Sequence, residues 1–104
     1  MVTSDAVYDY IFNYSLMSFK VSGNGTISTV NLNDQISNDG IYLMAVSFLY
    51  DAWSNFYLAT VFKYGNNYRV VPLQQVDVTA SLNGSVLSFS SHFSVIKFMQ
   101  VGYW

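Results

Sequence analysis

The sequence predicts an all-β domain, an antiparallel β-sandwich or jelly-roll-like head of about eight strands, preceded by a short N-terminal helix. Three observations carry this. Short stretches rich in Val, Ile, Tyr, Phe and Thr recur at roughly 8–12-residue spacing. Turn chemistry separates them, in Gly23-Asn24-Gly25, Gly65-Asn66-Asn67 and Asn83-Gly84. Helical spacing is confined to the start of the chain, where Val7, Ile11 and Tyr14 fall at i, i+4 and i+7.

That opening stretch is read as a neck over residues 1–15, with the head over 16–104. Thr3 or Ser4 can cap the helix, and Asp5 complements its positive end. A helix of three turns is marginal alone in water, so its apolar stripe needs a partner. The first strand is expected over 16–22, with Gly23-Asn24-Gly25 turning it into a second strand over 26–30. Residues 31–40 hold three Asn, two Asp and a Gly, and read as a loop. Residues 41–50 and 56–64 are two long strands. Phe56-Tyr57-Leu58-Ala59-Thr60-Val61-Phe62 is apolar at nearly every position, which predicts burial on both faces, or a core on one face and a partner on the other. Gly65-Asn66-Asn67 turns into a strand over 68–71, and Pro72 ends that strand or places it at an edge. Residues 75–82 alternate cleanly, and Asn83-Gly84 predicts a two-residue type I′ turn into 85–90. A break at Ser91-His92 precedes the last strand, over 94–104.

Composition narrows the function. Of 104 residues, 52% are apolar and only 10% charged, which excludes a disordered chain. Four Lys and Arg against six Asp cannot build the basic surface that nucleic acid requires. The longest nearly apolar run, from Ile41, is about half of a membrane span, so no insertion is expected. The N-terminus lacks the basic and apolar regions of a secretory signal. With no cysteine there is no disulfide, thiolate metal site or cysteine nucleophile. The single histidine, His92, stands in no nucleophile motif, and the Asp residues fall in turns, so no catalytic residue is assigned. The Asn and Asp of the 31–40 loop lack the spacing of a calcium loop, and neither metal nor cofactor is expected.

Binding is the function that remains. Nine Tyr, two Trp, nine Asn and 14 Ser match the palette of recognition loops, where rigid aromatics supply area and amides supply hydrogen bonds. Trp53, flanked by Asp51 and Asn55, is suited to stack on the apolar face of a sugar while its neighbours pair with hydroxyls. Asn66, Asn67, Tyr68 and Arg69 form a second such group.

The segment Val2-Thr3-Ser4-Asp5-Ala6-Val7-Tyr8-Asp9-Tyr10-Ile11 resembles one common in tail-fibre and receptor-binding proteins of phages and prophages, where it closes the shaft ahead of a globular head. The resemblance covers ten residues. It implies a homotrimeric, non-catalytic head at the tail tip of a virion that binds a host-surface glycan or protein, with Val7, Ile11 and Tyr14 lining the trimer neck. The seam spacing of those three residues and the low charge agree with an oligomer. Two other readings stand beside it: a structural virion component of the baseplate or capsid, and a monomeric carbohydrate-binding module.

Overall fold

A computed structural model describes residues 18–48 and 55–104. The expected neck, with Val7, Ile11 and Tyr14, and the loop residues Asp51 and Trp53 lie outside the described residues.

The described chain is antiparallel β-structure with one short helix: β1 (Ser18–Asn31), α1 (Leu32–Gln35), β2 (Gly40–Phe48), β3 (Phe56–Tyr64), β4 (Asn67–Val76), β5 (Ala80–Asn83) and β6 (Val86–Gly102). The strands form one sheet in the order β1-β6-β2-β3-β4, with β5 also paired to β6. Eight expected strands become six. The first two are one strand, β1, and the last two are one strand, β6. Pro72 does not end β4, which runs to Val76 as an edge strand where a missing N–H is tolerated. The stretch 75–82 is broken at Asp77, which adopts φ 54° and separates β4 from β5.

Gly23-Asn24-Gly25 is therefore not a hairpin turn. It is a bulge inside β1, with Asn24 at φ 52° and Gly25 at φ 70°. Between Ile27↔Phe93 and Ser22↔Val95, β1 takes five steps while β6 takes two. Between Thr29↔Ser88 and Ile27↔Phe93 the imbalance is reversed, two steps on β1 against five on β6. The two excursions cancel, so register is the same at both ends of the pair. Thr26 Oγ1 donates to Gly23 O (3.0 Å) and Ser22 Oγ to Asn24 Oδ1 (3.0 Å), which holds the bulge.

The matching excursion bends β6 near Ser91-His92, where the sequence suggested a break. Its first half pairs with β5 and its second half with β2. The bend carries Phe89 onto the far end of the sheet, edge-on to Phe48 (5.6 Å), Tyr57 (5.6 Å) and Phe93 (5.9 Å). Around this aromatic centre are the inward positions Tyr42, Met44 and Val46 of β2, Ala59 and Val61 of β3, and Ile96 and Phe98 of β6, all buried. Phe19 stacks on Phe98 with ring centroids 4.9 Å apart. Burying a side chain of this size contributes about 1.5–3 kcal/mol, so this inner face supplies most of the driving force.

The loop over 31–40 contains α1. Asn31 caps it, accepting from Asn33 N at 3.1 Å, and Leu32 and Ile36 reach the core. Both hairpin turns differ by one residue from expectation. Asn83 pairs with Val86, so the turn is Gly84-Ser85, and Tyr64 pairs with Asn67, so the other is Gly65-Asn66. Each has positive φ only at its glycine (62° in both), the signature of type II′ and not of type I′.

A Cβ on Gly23 would lie 2.5 Å from the Phe93 ring and 2.6 Å from the Phe93 carbonyl. The ring is fixed in the core, so neither can give way. Gly23→Ala is expected to lower stability by about 1–3 kcal/mol in urea unfolding; an unchanged midpoint would show that the bulge does not depend on this approach.

Candidate functional site

Strand alternation gives the sheet an outer face. Along β2 it presents Ile41, Leu43 and Ala45; along β3, Phe56, Leu58, Thr60, Phe62 and Tyr64; along β6, Val95, Lys97 and Met99. These residues are half-buried or exposed, in contrast to the inner face. In β3 the inner positions are buried and the outer ones half-buried or exposed, so the strand is not buried on both faces within one chain.

One corner of the outer face has the geometry of a binding site. Phe62 pairs with Arg69, and Tyr64 with Asn67, so all four project to the same side. The end of the chain crosses toward β3 and lays Trp104 over Phe62, with ring centroids 6.2 Å apart and planes 28° off parallel. The Trp104 indole N–H donates to the Lys63 carbonyl at 2.6 Å, which fixes the ring while leaving 62% of the residue exposed. Phe62, Arg69, Val71 and Trp104 line an open cleft of about 360 Å³. Tyr64, 69% exposed, extends the aromatic rim. A flat indole beside a guanidinium and an amide can stack on an apolar ring face and bond its hydroxyls.

Behind this corner, on the inner side, a polar cluster ties loop, turn and strand end together. Lys63 is buried to 7% exposure. Its ammonium pairs with Asp39 Oδ1 at 3.4 Å, donates to the Gly65 carbonyl and sits 5.5 Å from the centre of the Tyr68 ring. Asp39 Oδ1 also accepts from Gly65 N at 2.9 Å. Gln100, buried, donates to the carbonyls of Asp39 (3.4 Å) and Gly102 (3.3 Å). Tyr42 donates to the Asn38 carbonyl at 2.6 Å. Burial pushes the Tyr42 hydroxyl pKa up, and Tyr103, Asp39 and Tyr68 push it the same way; burial alone raises that of Tyr57. Both hydroxyls thus favour the neutral form in the folded state. Their contribution to stability is full below the ordinary tyrosine value of about 10 and is lost as pH rises through the raised values.

The sequence-derived candidates separate. Asn67 and Arg69 belong to the outer corner, and Asn66 lies in the adjoining turn. Tyr68 faces the other way and donates to Asn33 Oδ1 at 2.5 Å. Asn55 sits at the opposite end of β3, where its amide nitrogen is placed to donate to the carbonyls of Val76 and Asp77, each at 3.0 Å. Phe62, Tyr64 and Trp104 were not singled out from the sequence. Trp104 was visible as one of only two tryptophans, but its meeting with Phe62 depends on β2 lying between β6 and β3.

That crossing needs Gly40. A Cβ there would meet the Gly102 carbonyl at 2.5 Å and Gln100 Nε2 at 2.6 Å, and the residue has φ +147°. Gly40→Ala is expected to displace residues 102–104. In a ¹H–¹⁵N spectrum the Trp104 indole N–H should lose its protection from exchange. A protected Trp104 indole in this variant would contradict the role given to Gly40.

Comparison with known proteins finds no matching family model, no matching curated protein and no matching solved structure.

Proposed function

We propose that this chain is a non-catalytic receptor-binding head that recognises host-surface saccharide, of the kind carried at the tip of a phage tail fibre. The observation that supports it best is the Trp104–Phe62 stack with Arg69 and Asn67 on one open corner of the outer face. This corner joins an aromatic platform to a cation and an amide, the combination a pyranose ring needs. The tail-fibre assignment rests on the resemblance at residues 2–11. The bent β6, which folds Phe89 over Phe48 and Tyr57, supports a sandwich-like closure of the head.

In this reading the head is a homotrimer, joined through a neck at Val7, Ile11 and Tyr14, and acts outside the host as part of the virion. The half-exposed apolar residues of the outer face support association of copies, because a monomer leaves them in water. Light scattering after size exclusion should give a mass near three chains. A monomer would favour the carbohydrate-binding module instead.

The site is tested on an array of host cell-wall and surface polysaccharides, followed by titration of the best ligand. Trp104→Ala should weaken binding by about 1–3 kcal/mol, the size of a base–aromatic stacking contact, with the fold retained. Absence of binding to every surface component of the host would overturn the proposal and leave a structural virion component as the better reading.

A further inference from the structure

The chain carries a net charge of −2, yet its cations are not spread evenly. Of the four, Lys63 is buried against Asp39. The other three, Lys20, Arg69 and Lys97, all project from the outer face. No Asp of the described residues joins them: Asp34 lies in α1, Asp39 in the loop before β2, and Asp77 after β4. Lys20 and Lys97 are also direct cross-strand partners, both exposed, and neither makes an ion pair among the described residues. Like charges placed opposite each other in a sheet are destabilising. The pair lines an open cleft of about 360 Å³ with Ser18 and Phe19, and Lys97 reaches a second cleft of about 320 Å³ with Ala45, Ser47, Phe56 and Val95.

The geometry points to Lys20 and Lys97 as an anion subsite that takes a phosphate or carboxylate group carried by the saccharide ligand, so that the receptor is an acidic polysaccharide. This rests on the saccharide-binding reading of the outer face. Two lysines opposite each other on neighbouring strands and lining one cleft suit a compact anion, which accepts charge-assisted hydrogen bonds from both and removes their repulsion. The subsite is four residues along the strands and two strands across from Phe62, roughly 14 Å by 10 Å on the same surface. One oligosaccharide can reach both, with a ring on Trp104 and an acidic substituent on the lysines.

The lysine pair is tested first without any saccharide. The full chain is titrated with inorganic phosphate and followed by ¹H–¹⁵N spectra. Saturable shifts are expected at Lys20, Lys97 and Ala45, weakened tenfold or more in a Lys20→Gln, Lys97→Gln double variant. In phosphate-free buffer that variant should melt at or above the wild-type temperature, since it loses only repulsion. No saturable shift, unaltered binding by the variant, or a lower melting temperature would each overturn the subsite. The second arm uses host polysaccharide, intact and stripped of its phosphate and carboxylate groups. The intact form should bind at least tenfold tighter at low salt, with the difference lost at high salt and in the double variant. Equal binding of both forms overturns the anion subsite and leaves the saccharide reading in place. Binding of neither form overturns the saccharide reading, and the phosphate titration alone then decides the lysine pair. Stronger capture by phosphatidylglycerol vesicles than by polysaccharide would overturn the proposed source of the anion.

Discussion

β6 hydrogen-bonds to β1, β2 and β5, and the rest of the architecture depends on its path. A straight strand of 17 residues would give one flat sheet with a single layer of side chains beneath it. The three surplus residues on β6 bend it, and three surplus residues on β1 restore the pairing beyond the bend. The bend is what allows Phe89 to meet Phe48 and Tyr57 and lets a small domain enclose an aromatic core. Gly23 makes the compensation sterically admissible, because the bulge runs directly over Phe93.

The same strand sets up the outer face on which the proposed site lies. At its far end β6 runs past β2 at Gly40, a residue without a side chain, and delivers Trp104 to Phe62 on β3. Lys63 holds this corner from behind. Its side chain is fixed on the inner side by Asp39, Gly65 and Tyr68, while its backbone carbonyl takes the Trp104 indole N–H. A buried ammonium is costly unless it is paired and hydrogen-bonded, and here it is both. An exposed aromatic platform is thus presented by a rigid support, which limits the entropy lost on binding.

Much of the fold was legible in the sequence, because period-two alternation and turn glycines are local signals. The strands over 41–48 and 56–64 are where the pattern placed them, and the double apolarity of β3 does separate into a core face and an outer face. The failures are instructive. Gly23-Asn24-Gly25 has the composition of a hairpin turn, and only pairing with β6 makes it a bulge. A bulge and a turn use the same positive φ values, so sequence cannot separate them without the partner strand. The turn at Asn83-Gly84 slipped by one residue for a similar reason, as register across the hairpin is set by Leu87 facing the core. Within the site, Asn67 and Arg69 were found by their residue types. Tyr68 was grouped with them, but strand alternation turns it to the opposite face, onto Asn33. Trp104, Phe62 and the Lys20–Lys97 pair are products of long-range register and have no local signature.

The central claim is that one face of this sheet, anchored at Trp104, is a ligand-binding surface. It is tested most directly by mapping ¹H–¹⁵N shift changes on the full chain during titration with fragments of the host's surface polysaccharide. The account predicts that the largest changes fall on the Trp104 indole N–H and the amides of Phe62, Tyr64, Asn67 and Arg69, with those of inward-facing Tyr57, Val61 and Phe98 unmoved. Saturable changes confined to residues away from this face would contradict it.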